Sequence, residues 1–111
     1  MTDHDLAALG DAFINFVHSL ALSNKTGKAT GVKVKGTLLA EALRRAELRE
    51  HMPSRMTTHK LADAAEALLV YAWLHGCVTI EENVATLEEN SDTIEGLTQL
   101  LKKAKSRVRL S

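Results

Sequence analysis

The chain has neither the cysteines of a disulfide scaffold nor the long uncharged run of a membrane anchor. Its 111 residues include a single cysteine, Cys77, which excludes an internal disulfide and fits a reducing compartment. The longest uncharged run, residues 67–80, is shorter than the roughly 20 residues that cross a bilayer. The first five residues, MTDHD, are acidic, unlike the start of a signal peptide. We therefore expect a cytoplasmic protein with no membrane partner.

Proline and aromatic residues are also scarce. With one proline and 4% aromatic residues, the core must be built mainly from Leu, Ala and Val. No segment alternates apolar and polar residues in the way that predicts a strand. The length suits one domain with one core. We therefore predict an all-α fold and a single domain covering residues 1–111.

Apolar spacing and capping residues predict five or so helices. The first helix covers about residues 6–24, a glycine-containing loop follows over 23–36, and the second helix covers 36–51 and is broken at Met52-Pro53-Ser54. The third helix runs from Thr57 or Thr58 to about His75 and is ended by Gly76. The fourth and fifth helices begin at the capping boxes Thr79/Glu82 and Asp92/Glu95, and the fifth ends near Val108.

The formal net charge is zero, but the charges are segregated along the chain. Residues 24–36 hold four lysines and no acid, residues 81–95 hold six acids and no base, and residues 102–109 are basic again. A neutral total therefore does not exclude a polyanionic partner, because a basic surface can be local.

Three acids stand in otherwise apolar helical segments, where we expect them to be buried. Asp11 is the only charge in residues 6–24, and Asp63 and Glu66 are the only charges in residues 61–80. Burying an unpaired carboxylate costs several kcal/mol. Asp63 and Glu66 are three residues apart and so lie on one helix face, where they can bind one hard cation.

Small residues favour a close crossing of these two helices. Alanines flank Asp63 and Glu66, and Gly10 precedes Asp11, so the three carboxylates can converge. Such a group would bind Mg²⁺ or Mn²⁺ with positions left for water and phosphate. The alternative is a structural role, in which the acids cap a helix or pair with Arg44, Arg45 or Arg55. His59, one turn before Asp63, is a further candidate to face the site.

Two segments resemble the catalytic domain of the ribonuclease III family. LGDAFINFV (9–17) is similar to the family's signature segment, and LADAAEALLVYAWLHG (61–76) is similar to its second acidic helix. The resemblance covers about residues 5–80, with helices at 79–108 following. It implies an all-α homodimer that cleaves double-stranded or structured RNA with Mg²⁺ or Mn²⁺, leaving 5′-phosphate and 3′-hydroxyl ends. In plan the chain resembles the short mini ribonuclease III branch, which lacks a double-stranded-RNA-binding domain.

The resemblance assigns catalysis and metal binding to Asp11, Asp63 and Glu66. The family's Glu four residues before the first Asp falls on Ala7 here, and His4 takes the place of an earlier Glu. Asp5 and Glu41 are candidates for a missing oxygen ligand. This departure keeps a second interpretation open, namely a catalytically silent RNA-binding or assembly protein of the same fold. A plain helical dimer with structural acids is the third.

Basic residues on both sides of the acids are predicted to bind RNA. They are the four loop lysines and two residues just before the second acidic helix: Lys25, Lys28, Lys33, Lys35, Arg55 and Lys60. Phosphate contacts supply most of the affinity for a nucleic acid. The first helix is apolar on two faces, so we predict that Phe13, Ile14 and Val17 contribute to a homodimer interface.

Overall fold

A computed structural model describes residues 3–47 and 56–110 of the chain. Within those ranges the fold consists of helices joined by turns and one extended loop, with no strand. The described helices are α1 (Asp3–Thr26), α2 (Gly36–Arg45), α3 (Thr58–Leu74), α4 (Ile80–Glu89) and α5 (Thr93–Leu110). The predicted all-α class is confirmed.

Local capping chemistry sets the ends of α3 and α4 as predicted. The Thr57 hydroxyl accepts a hydrogen bond from the Lys60 N–H at 3.1 Å, which satisfies one of the free donors at the start of α3. Gly76, with φ +72°, follows the end of that helix in a conformation that suits glycine. Thr79 and Glu82 form a reciprocal capping box at the start of α4.

The lengths of α1 and α2 differ from the prediction. Helix α1 is longer than expected, beginning at Asp3 and ending at Thr26. Helix α2 was predicted to reach residue 51 but ends at Arg45, because Glu47 adopts φ 60° and leaves the right-handed helical region. The predicted break at Met52-Pro53-Ser54 lies outside the described residues.

The pair α1 and α3 forms the centre of the fold. Gly10 on α1 lies directly on the backbone of Glu66, and farther along both helices Phe13 stacks on Trp73 with ring centroids 5.3 Å apart. The two helices therefore run in the same direction, and α2, α4 and α5 pack around them. Leucine, alanine and valine dominate the buried core, as the composition predicted.

The predicted dimer interface is wrong in its residues. Phe13, Ile14 and Val17 are all buried within the protomer, Ile14 and Val17 completely. The exposed apolar side chains of α1 are instead Leu9 and Phe16, Phe16 by 56%. Helical periodicity located two apolar faces on α1 but could not say which one meets the rest of the chain.

Helix α1 also has the length and hydropathy of a membrane-crossing segment. Over His4–Thr26 the mean hydropathy of its most apolar window reaches 1.4, and 33% of that window is buried inside the fold. A core helix of a globular domain meets the same criteria, so this property by itself assigns no location to the protein.

Candidate active site

The three acids singled out from the sequence line one cavity of about 330 Å³ between the first turns of α1 and α3. The start of α2 and the end of the preceding loop complete its wall. The lining residues are His4, Ala7, Ala8, Asp11, Lys33, Val34, Gly36, Leu39, His59, Ala62, Asp63 and Glu66. Asp11, Asp63 and Glu66 thus meet in one cavity, as their helical placement and small neighbours predicted.

Gly10 is the residue that permits this arrangement. A Cβ atom at this position would lie 2.1 Å from the backbone oxygen of Glu66, a distance that no side chain can tolerate. The missing side chain lets α1 and α3 approach closely, and this close crossing brings the carboxyl groups of Asp11 and Glu66 together. The small residues beside the acids predicted this close crossing.

Glu66 is the one acid of the three that is buried, with 7% of its surface exposed. Burial, a hydrogen bond with Asp11 and the negative charges of Asp11 and Asp63 raise the pKa of Glu66 to about 8, while Lys33 opposes the shift. The protonated form of Glu66 is therefore favoured at neutral pH when no cation is bound.

Asp11 and Asp63 are half-buried, which corrects the expectation that all three acids are buried. Their positions at the rim of the cavity leave them in contact with water, so their charge is easier to accommodate. His59, one turn before Asp63, places its Nε2 atom 3.5 Å from Asp63 Oδ2 and lines the same cavity. The suggestion that His59 faces the site is confirmed.

Asn15 is a site residue that the sequence analysis missed. Its Nδ2 donates to Asp11 Oδ1 at 2.9 Å, and its Oδ1 accepts from the Val34 N–H at 2.7 Å. One amide therefore orients Asp11 and holds the loop next to Lys33. Its spacing of four residues from Asp11 on the same helix was the available signal.

The six basic residues predicted to bind RNA occupy different parts of the molecule. Of the loop lysines, Lys33 lines the carboxylate cavity. Lys25 donates to the Asn90 carbonyl oxygen at 2.9 Å, close to α4 and α5, and is therefore remote from the site. Lys28 and Lys35 are exposed.

The two remaining basic residues precede the second acidic helix. Lys60 lines a shallow depression that shares His4, Ala7 and Asp63 with the cavity. Arg55 lies outside the described residues. Lys33 therefore lines the cavity and Lys60 lines the adjoining depression, and Asp63 belongs to both.

The structural interpretation of the acids loses two of its three proposed arginine partners, and the third, Arg55, lies outside the described residues. Arg44 and Arg45 both pair with Glu41, at 3.5 and 3.1 Å, and not with the cavity acids. Glu41 therefore forms its ion pairs within α2 and does not line the cavity. It is not placed to replace the oxygen ligand that Ala7 cannot supply. Asp5 is exposed and is not among the lining residues either.

The donor chemistry of the cavity fits a hard divalent cation. Carboxylate oxygens are the ligands that Mg²⁺ and Mn²⁺ prefer, and the raised pKa of Glu66 beside Asp11 and Asp63 indicates that positive charge is favoured there. Within the described ranges, no three Asp, Glu, His or Cys side chains already have the spacing of a closed metal-ligand set. A cation would therefore have to displace the proton and draw the carboxylates together.

Comparison with known proteins agrees with the motifs. The family model described as Ribonuclease III matches residues 4–108, nearly the whole chain. No curated protein matches the sequence. The match includes every described residue of the cavity.

Proposed function

The chain belongs to the ribonuclease III family, and we propose that it is a divalent-metal-dependent endoribonuclease acting on double-stranded or structured RNA. The observation that supports this proposal is the meeting of Asp11, Asp63 and Glu66 in one cavity with Lys33 at its wall. A cavity of about 330 Å³ has room for a phosphate group together with waters.

Asp11, Asp63 and Glu66 are the residues that would hold Mg²⁺ or Mn²⁺. When bound, the cation would supply Lewis-acid chemistry, lowering the pKa of water and stabilising charge on the phosphate. The RNA would be left with 5′-phosphate and 3′-hydroxyl ends, as in the family. His4 and Ala7 occupy the wall where the family has further acids, so three carboxylates carry the role here.

The chain's own residues would manage protons and phosphate charge. Burial beside two other acids raises the pKa of Glu66 to about 8, and a bound cation would favour its ionised form. Lys33 in the cavity and Lys60 in the adjoining depression provide cations that attract the phosphates of an approaching strand. Duplex RNA is recognised mainly through its backbone and shape, which suits a surface with lysines and few aromatic residues.

We further propose that the protein is a homodimer, since cutting both strands of a duplex requires two sites. The apolar residues left exposed on α1 and α3 are the candidates for the interface: Leu9, Phe16, Tyr71 and Leu74. Phe16→Glu should give a monomer by light scattering at micromolar concentration. Ala85→Glu, at an exposed position on α4, should leave the dimer intact. If the wild-type protein is a monomer and still cleaves, it would nick one strand of a duplex, and the homodimer proposal would be disproved.

Cleavage of a labelled duplex RNA tests the main proposal. We expect cleavage with Mg²⁺ or Mn²⁺ and none with EDTA. Glu66→Gln should abolish cleavage without unfolding the protein, because an amide is a weak cation ligand and cannot release a proton. Glu89→Gln, at an exposed position on α4, is the matched control and should cleave normally. Equal activity of the two variants would disprove the assignment of Glu66.

A second function is favoured by one observation, the apolar Ala7 on the cavity wall. If three carboxylates do not suffice for catalysis, the chain would be a silent RNA-binding or assembly protein of the same family. Duplex binding without cleavage in either metal would identify this case. Cleavage gained by Ala7→Glu would then assign the lost activity to that position.

A further inference from the structure

The loop between α1 and α2 is attached to α1 by a regular set of hydrogen bonds. Asn15, Ser19 and Ser23, spaced four residues apart on α1, accept the N–H groups of Val34, Val32 and Thr30 respectively. The three distances are 2.7, 2.9 and 2.9 Å. Ser19 also donates to the Val32 carbonyl oxygen at 3.0 Å. We call these three side chains the polar ladder.

The spacing of the polar ladder has a geometric reason. Four residues of helix rise about 6 Å, and two residues of extended chain rise about 6.6 Å. Side chains at every fourth helix position therefore match every second residue of an extended segment that runs the opposite way. An isolated extended segment must satisfy its backbone donors somewhere, and here α1 replaces a neighbouring strand.

The polar ladder determines which loop lysine faces the cavity. Consecutive side chains of an extended chain point to opposite sides. Val34 and Lys33 both line the carboxylate cavity, but Val34 is buried at 3% exposure whereas Lys33 is exposed. A shift of one residue would exchange the two sides of the segment and force a lysine towards the core. The ladder thus selects Lys33 from the four loop lysines.

The charge of the cavity explains why a lysine is needed there. A divalent cation leaves three carboxylates with a net negative charge, and that charge would repel an incoming phosphate. Lys33 neutralises it and adds a strongly hydrated point charge that suits a phosphate oxygen. Asn15 joins the two functions, because the same amide that accepts from Val34 also orients Asp11.

From these contacts we propose that the polar ladder holds Lys33 at the carboxylate cavity, where its ammonium group binds a phosphate of the RNA strand to be cut. Lys33 is then a substrate-binding residue, and Asn15, Ser19 and Ser23 are positioning residues. This inference rests on the proposed function, since it assigns one phosphate contact within that site.

Hydrogen exchange tests the polar ladder without RNA. In Ser19→Ala the Val32 amide should lose most of its protection, and in Ser19→Thr it should keep it, because the hydroxyl remains. Ser106→Ala removes an exposed hydroxyl from α5 and should change no loop amide. A Val32 amide that is unprotected in the wild type would overturn the ladder.

RNA binding over a salt series, in Ca²⁺ to avoid turnover, tests the phosphate contact. Lys33→Ala should make the negative slope of log K against log salt shallower by roughly 0.7–0.9, the value for one phosphate contact. Lys33→Arg should retain the slope. In cleavage assays Lys33→Ala should raise KM more than it lowers kcat.

A double-mutant cycle connects the ladder to Lys33. Ser19→Ala with Ser23→Ala should reduce the salt slope as Lys33→Ala does, and should cause no further loss when Lys33 is already Ala. The proposal would be overturned if the Ser19→Ala/Ser23→Ala variant kept the wild-type salt slope. It would also be overturned if these two substitutions reduced the slope again by the full amount in a protein that already carries Lys33→Ala. Duplex binding without cleavage would disprove the proposed hydrolysis and leave the Lys33 contact standing; no binding to duplex RNA would overturn both.

Discussion

Helices α1 and α3 meet along two stretches that have opposite chemistry. In the first turns Gly10 lies on Glu66, and Asp11 and Asp63 open onto a cavity. Farther along both helices, Phe13 stacks on Trp73, which packs against the apolar core. We refer to these stretches as the carboxylate half and the aromatic half of the α1–α3 pair.

The comparison shows how a marginally stable domain tolerates a clustered set of acids. The aromatic half supplies dense apolar burial, which favours folding. The carboxylate half opposes folding, because Glu66 is desolvated beside two other acids. Since both halves belong to the same two helices, the apolar contact holds the acids together despite their repulsion.

Truncation in the aromatic half should have the largest effect on stability. Phe13→Ala removes a buried ring stacked on Trp73 and should cost roughly 3–5 kcal/mol in the free energy of unfolding. Phe16→Ala, on the exposed face of the same helix, should change the stability of the monomer by about 0.5 kcal/mol or less. Urea denaturation measures both. Similar losses in the two variants would contradict the assignment of faces on α1.

Filling the close crossing in the carboxylate half should have the next largest effect. Gly10→Ala places a methyl group against the Glu66 backbone, and relief of that clash requires the helices to separate. We expect a loss of about 1–3 kcal/mol, the usual cost of overpacking, together with loss of cleavage. Gly31→Ala, where a Cβ meets nothing within 4 Å, is the matched control and should leave stability nearly unchanged. A Gly10→Ala variant as stable as wild type would show that the helices do not cross this closely.

A smaller effect is expected from pH in the absence of metal. The pKa of Glu66 is raised from 4.5 to about 8, so between these values the folded state binds more protons than the unfolded state. Stability should therefore fall as pH rises from 4.5 to about 8, by at most about 1.4 kcal/mol per pH unit. Glu66→Gln should remove this slope while the aromatic half is untouched. Thermal unfolding across the pH range measures it, and an identical slope in both proteins would contradict a protonated Glu66.

The smallest effect should come from Lys33, whose positive charge is the weakest of the influences on Glu66. Lys33→Met should raise the pKa of Glu66 further, because a cation that favours the ionised carboxylate is lost. Lys35→Met, at an exposed position outside the cavity lining, is the control. Carbon-13 NMR titration of the Glu66 side chain measures both. An equal shift in the two variants would indicate that the polar ladder does not select Lys33.

Features that depend on neighbours in the chain were predictable from the sequence. Thr57, Gly76 and the Thr79/Glu82 capping box act through bonds to residues a few positions away, so their effect on α3 and α4 could be stated without a fold. The acids were visible because charge is rare in apolar helices. Their motifs also predicted the family, which the match over residues 4–108 confirms.

Features that depend on distant parts of the chain were decided by the tertiary structure alone. Periodicity could not tell that Phe13 is buried while Phe16 is exposed, because both belong to apolar faces and only packing on α3 distinguishes them. Composition grouped four lysines, but bonds from Ser19 and Asn15 to residues 13 and 19 positions away bring Lys33 to the acids. Burial and long-range hydrogen bonds arise between segments that meet only after folding, so which acid keeps a proton and which lysine faces it are properties of the fold.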